Sequence, residues 1–175
     1  FVIQFDTFAS GAEVEDVASQ AEQVGFGGSG SSCSYQSGCT SASLSCVPTA
    51  MGDCWERPAM RPFEERLLRV VQVPAENCEP MRFVRYEPGQ SFSLHHAQQK
   101  RVARHTPGGP RVWTLYVFLR GPIDGGNFEL PRLNLSVSPI PGRAIMWPHL
   151  LDDDLLTPDL RTVHEGAAVG GGVKL

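Results

Sequence analysis

Arg85-Tyr86-Glu87-Pro88-Gly89-Gln90-Ser91-Phe92-Ser93-Leu94-His95-His96-Ala97 is the stretch on which the reading of this chain turns. Pro88-Gly89 marks a turn between two short strands. Side chains alternate along a strand, so His95 and residue 97 project to the same face. A second histidine stands far away, in Arg161-Thr162-Val163-His164-Glu165-Gly166, and Lys174 follows it by ten residues. Position 97 holds alanine, which offers no donor.

The chain around this stretch has 175 residues and a net charge of −4. That length predicts one domain with a sizeable core. We divide it into a helical, Cys/Gly/Ser-rich part, 1–78, and a strand-rich part, 79–175. The apolar and charged fractions are those of a soluble globular protein, and the charge gives no footprint for nucleic acid. No apolar run reaches the roughly 20 residues of a membrane-spanning helix. No signal peptide is visible at Phe1, so a processed or partial chain is expected. Only Lys100 and Lys174 are lysines, against thirteen arginines, which makes Lys174 conspicuous.

All five cysteines lie between Cys33 and Cys78, in spacings that match no zinc site. Cys33, Cys39, Cys46 and Cys54 are the candidates for disulfides stapling the Gly/Ser-rich stretch 25–57. Such bridges imply an oxidising lumenal or secretory compartment. The odd count leaves at least one thiol over.

Val2 to Phe5 reads as a strand. Ser10 with Glu13 is a capping box, and Val14, Val17, Ala18, Ala21 and Val24 recur at helical spacing, predicting a helix over 11–24 that ends at Gly25. Residues 25–57 show no periodicity and are expected to form a loop or lid. Pro62 is expected to open a second helix at its first position, with Phe63, Leu67, Leu68 and Val71 on its apolar face. Short strands follow: Met81–Tyr86, Ser91–His96, Val112–Leu119, Phe128–Leu130, Leu133–Val137 and Ala144–Trp147. Thr162–His164 and Val173–Leu175 are expected to frame a Gly-rich turn. Asn134-Leu135-Ser136 is a glycosylation sequon that falls in a predicted strand, which argues against its use. The pattern is α+β, with an antiparallel sandwich or barrel.

These motifs together resemble the prolyl 4-hydroxylase branch of the Fe(II)/2-oxoglutarate dioxygenases, in an algal-type variant. The family pattern Arg-Tyr-x-x-Gly-Gln, a short spacer and His-x-Asp meets Arg85, Tyr86, Gly89, Gln90 and His95. Arg111, Thr114 and Leu119 match its next strand, and Gly125, Gly126 and Pro131 its Gly-Gly segment. Pro139, Gly142, Arg143, Ala144, Trp147 and Pro148 fill the segment after that. The resemblance spans nearly the whole chain, from Phe5-Asp6-x-Phe8 to Lys174.

It implies a double-stranded β-helix (jelly roll) flanked by N-terminal helices. It implies iron held by two imidazoles and a carboxylate on one face, with open positions for cosubstrate and oxygen. The family cofactors are Fe(II), 2-oxoglutarate and ascorbate. By position, His95 and His164 would be the imidazole ligands, and Tyr86 and Lys174 would contact 2-oxoglutarate. The departures fall on that chemistry. Ala97 removes the acid. Phe128 stands where the family has a cosubstrate-binding threonine, and Ala168 replaces a proline. The sequence ends at Leu175, before a further family strand, so Lys174 is expected at a frayed end beside an open sheet edge. Asp152, Asp153, Asp154 and Glu165 are the other acids considered as substitutes. A vacant position beside His95 could instead take a halide, as in related halogenases, though Phe128 argues against that. The expectation is a degenerate family member that binds no cofactor and serves as a protein-binding subunit of a larger assembly, in a lumen such as that of an algal organelle. The alternative is an active hydroxylase or halogenase-like enzyme with an unusual metal site.

Overall fold

The computed structural model describes residues 1–26, 41–46, 54–98 and 109–175. It is a mixture of helices and antiparallel sheets, and no barrel closes among the described residues. In chain order come β1 (Ile3–Phe5), α1 (Gly11–Val24), β2 (Ala42–Ser45), α2 (Met60–Val71), β3 (Arg82–Arg85), β4 (Phe92–His95) and β5 (Trp113–Val117). They are followed by β6 (Asp124–Gly125), β7 (Phe128–Leu130), β8 (Leu135–Val137), β9 (Ala144–Pro148), β10 (His164–Gly166) and β11 (Val169–Gly171). The sheets run β1-β9-β5, β4-β10-β7-β8, β11-β6 and β2-β3.

Helix α1 forms where its capping box places it. The Ser10 hydroxyl accepts from the Glu13 amide at 3.2 Å, satisfying one of the amides left over at a helix start. Val14, Val17, Ala18 and Ala21 are buried, against a core that includes Phe8, Met60, Phe63, Phe83 and Leu119. Each such side chain contributes about 1.5–3 kcal/mol when fully buried, less for alanine. Arg120 joins α1 to the loop after β5 through Glu15 and Glu22, both at 2.7 Å. A second cluster, Phe118, Phe128, Leu130, Val137, Ile145 and Trp147, fills the space between the sheets.

Several boundaries differ from the sequence expectation. Helix α2 starts at Met60, so Pro62 is its third residue rather than its first. Its missing N–H is one of the four that have no helical partner in any case. Residues 42–45, expected as loop, are strand β2, paired from Ala42↔Arg85 to Ser45↔Arg82. Ala-Ser-Leu-Ser carries almost no β-branched signal; the partner strand makes it a strand. Leu160–Thr162 form a 3-10 turn and the strand begins at His164. Part of the expected Gly-rich turn is strand β11, paired with β6. Asn134 lies in an exposed left-handed turn (φ 51°) before β8, not inside a strand.

A disulfide joins Cys46, at the end of β2, to Cys54, before α2. Cys78 is a free thiol, and burial raises its pKa. Cys33 and Cys39 lie outside the described residues. Among the described residues no helix is long and apolar enough to cross a membrane.

Candidate functional site

Strands β4 and β10 are neighbours, and their register sets His95 directly opposite His164. The imidazole centroids are 4.4 Å apart. The His95 Nδ1 faces the Ser93 carbonyl at 2.8 Å, and the His164 Nδ1 faces the Thr162 carbonyl at 2.9 Å. A carbonyl only accepts, so both Nδ1 atoms carry the proton and both Nε2 atoms keep a free lone pair. A backbone carbonyl fixes metal-binding histidines in just this way. Burial lowers both pKa values, that of His164 to about 4, so both rings are neutral. The two histidines picked from sequence are therefore together, in a tautomer that leaves each Nε2 lone pair free.

The other two predicted residues converge on the same place. Tyr86 and Lys174 form an antiparallel bridge, each amide donating to the other's carbonyl at 2.9 and 3.1 Å. Lys174 is not a frayed, solvated end: it is 1% exposed. Its backbone is held by Tyr86, and Leu175 beyond it is bonded to Leu119 and Arg120. The Lys174 Nζ donates to the Gly126 carbonyl at 2.6 Å and lies 4.9 Å from the Tyr86 ring centre. Gly126 has φ +71°, and a Cβ there would come within 3.2 Å of the Lys174 chain, so glycine keeps that carbonyl in reach. A Cβ on Gly166, two residues beyond His164, would stand 3.6 Å from the Tyr86 hydroxyl and 3.8 Å from Nζ. Burial pulls the Lys174 ammonium down to about 8 and pushes the Tyr86 phenol up to about 12. Among the described residues no carboxylate pairs with Lys174.

Phe128 packs against one side of this group, at His164. Its ring lies 5.4 Å from His164, 4.6 Å from Trp147 and 5.9 Å from Tyr116. It is 5% exposed. An apolar ring thus packs against His164, and Tyr116 beside it also lies 6.0 Å from the Lys174 Nζ.

The metal donor set is incomplete. His95 and His164 supply two neutral nitrogens, and Ala97 supplies a methyl group; its carbonyl accepts from Arg111 at 3.2 Å. Among the described residues no three His, Cys, Asp or Glu side chains are arranged to hold a metal ion. Asp152, Asp153 and Asp154 are exposed, with Asp154 engaged by Thr157 and the Leu156 amide. Glu165 sits opposite Glu129 in β7. The described residues at this site therefore do not fit the iron that the sequence motif suggests.

Two nearby histidines were not singled out from sequence. His96 donates through Nε2 to the Asp159 carbonyl and accepts the Gln98 amide at Nδ1, which commits both nitrogens. His149 is fully buried, with its centroid 6.1 Å from His164. Its Nε2 meets the Thr114 hydroxyl at 2.6 Å, its Nδ1 has no partner, and burial lowers its pKa to about 3. Its position straight after the Trp147-Pro148 segment was the available signal.

The fold has counterparts among solved structures. A viral collagen prolyl hydroxylase from Paramecium Bursaria Chlorella virus-1, in its 2-oxoglutarate complex, superposes with TM-score 0.75 at 20% identity, over 99% of this chain and 91% of that one. The fold is that of the prolyl hydroxylases. A Pseudomonas putida prolyl-4-hydroxylase gives TM-score 0.65 at 13% identity, over 99% of this chain and 87% of that one. In sequence, the chain is 31% identical over 131 residues to prolyl 4-hydroxylase 1 of Arabidopsis thaliana, covering 67% of the chain and 45% of the relative. It is 28% identical over 122 residues to a putative prolyl 4-hydroxylase of Acanthamoeba polyphaga mimivirus, covering 67% and 50%. The chain spans about half the length of these curated relatives. No family model matches it.

Proposed function

We propose that the chain belongs to the prolyl 4-hydroxylase-like Fe(II)/2-oxoglutarate dioxygenases, as a double-stranded β-helix that has lost catalysis and works by contact within a larger protein assembly. The observation that carries this reading is the pairing of Ala97 with Phe128. The first removes the charge that would help hold a ferrous ion between His95 and His164. The second packs a ring against His164 and Tyr116. Either loss alone would leave half a site; together they affect both the metal and its cosubstrate. The Cys46–Cys54 bridge supports an oxidising lumen as the place of work. The test is iron content of the purified protein after dialysis, measured beside 2-oxoglutarate turnover with added Fe(II) and ascorbate. Absence of both is the expected result. About one iron per chain with iron-dependent turnover would replace this reading with the enzyme reading.

One observation favours the alternative in part. Lys174 is a buried ammonium with no carboxylate among the described residues to pair with it, and isolated buried cations are costly. A dicarboxylate such as 2-oxoglutarate would relieve that cost. Binding of 2-oxoglutarate without turnover, read by calorimetry, would keep the ligand site and drop the chemistry.

A further inference from the structure

Asn134 closes the 3-10 turn Pro131–Leu133 in the left-handed conformation, φ 51° and ψ 42°, with its amide donating to the Pro131 carbonyl at 3.1 Å. Asparagine suits that conformation by itself, but three further observations surround it. The side chain is exposed, and among the described residues no hydrogen bond holds its carboxamide. Ser136 supplies a hydroxyl two residues on, with Leu135 rather than proline between them. The other two asparagines lack that hydroxyl: Asn77 is followed by Cys78-Glu79 and Asn127 by Phe128-Glu129. Finally, Asn134 leads into β8, which among the described residues pairs only with β7 and so ends its sheet. The outer side of such a strand presents unpaired backbone groups that need covering.

We propose that Asn134 carries an N-linked oligosaccharide that lies over the β8 edge. The sequon alone argued weakly, because a strand was expected there; the exposed turn removes that objection. The donor is an oligosaccharide on a lipid pyrophosphate. The Asn134 Nδ2 bonds to the anomeric carbon of the sugar, the bond from that carbon to the pyrophosphate breaks, the lipid pyrophosphate leaves, and one Nδ2 proton passes to a base of the transferase. The proposal rests on the lumenal reading that the Cys46–Cys54 bridge supports. In the folded chain the sugar meets open space, since residues 131–134 are all exposed. Beside Asn134 lies a hollow lined by Glu129, Leu135, Ser136 and Glu165. Glu129 stands opposite both Glu165 and Ser136, and its Oε1 accepts from the Ser136 hydroxyl at 2.7 Å. Carboxylates only accept, and sugar hydroxyls donate, so this row of acids suits the first sugar units. A glycan held there shields the edge of β8 and leaves protein contact to other faces.

The experiment takes protein purified from its own cells, alkylates free thiols, digests it, and compares peptide masses before and after a peptide N-glycosidase. The peptide spanning Asn134 is expected to carry an oligosaccharide and to emerge from the enzyme with aspartate at that position. The same maps read the Cys46–Cys54 bridge. An unmodified Asn134 beside an intact bridge overturns the glycan and leaves the lumenal reading standing; an unmodified Asn134 beside alkylated Cys46 and Cys54 overturns both. Secretion from eukaryotic cells supplies the variants. Asn134→Gln and Ser136→Ala are each expected to lose the sugar completely, and Ser136→Thr, which keeps a hydroxyl, to retain it. N-linked sugar that persists on Asn134→Gln overturns the assignment, as does wild type secreted without sugar.

Discussion

At the scale of single residues, the proposed loss of chemistry is tested at Ala97 and Phe128. Ala97→Asp puts a carboxylate two residues beyond His95, in the bend after β4. Ferrous affinity should rise by more than the roughly 10–100-fold that outer-shell partners are worth, checked by titrating Fe(II) into wild type and variant. Phe128→Thr should cost about 3 kcal/mol of stability, by analogy with other buried aromatic truncations, and open space beside His164. Chemical denaturation reads the first effect and calorimetry with 2-oxoglutarate the second. Lys174 itself gives a pH signature. The folded amine titrates near 8 and the unfolded near 10.5. Between those values the unfolded chain holds a proton the folded chain has released, so stability rises with pH across that window. Below about 8 both states are protonated and the cost of burying the charge is fully present. Melting temperatures between pH 7 and about 10 should show the rise in wild type and lose it in Lys174→Met.

At the scale of elements, α1 and α2 were legible because their signals are local. Ser10, Glu13 and the spacing of Val14, Val17, Ala18 and Ala21 lie within a few turns of one another. Ser10→Ala should accordingly lose about 1 kcal/mol, and Met60→Ala, in a side chain with no exposure, about 2–5 kcal/mol, both measured by urea unfolding. Strand β2 was not legible. Ala42–Ser45 has no alternation of strand-forming side chains, and it becomes a strand because β3 offers an edge. The same holds for β11: Val-Gly-Gly reads as a turn until β6 lies beside it.

At the scale of the whole molecule, the N-terminal part is wired into the sheets. β1 pairs with β9, β2 pairs with β3, and the Cys46–Cys54 bridge ties β2 to the start of α2. Reduction, or a Cys46→Ala/Cys54→Ala double variant, should cost about 2–4 kcal/mol. It should expose Ala42–Ser45 to hydrogen exchange while β4-β10-β7-β8, which contains no cysteine, stays protected. Equal loss of protection in both regions would mean the molecule unfolds as one unit.

The sequence alone placed the strand carrying His95, named its partners His164, Tyr86 and Lys174, and marked Ala97 and Phe128 as departures. Those readings rest on short motifs that resemble a known family, and a linear chain carries such motifs in full. Only the tertiary structure decided the rest. It set His95 opposite His164 through the register of β4 and β10. It buried Lys174 by bonding Lys174 and Leu175 across Tyr86, Leu119 and Arg120, where the sequence suggested a loose end. It brought His149 beside His164 from β9's end. Each of these depends on contacts between segments tens of residues apart, and no local pattern of side chains records which distant edge will lie alongside.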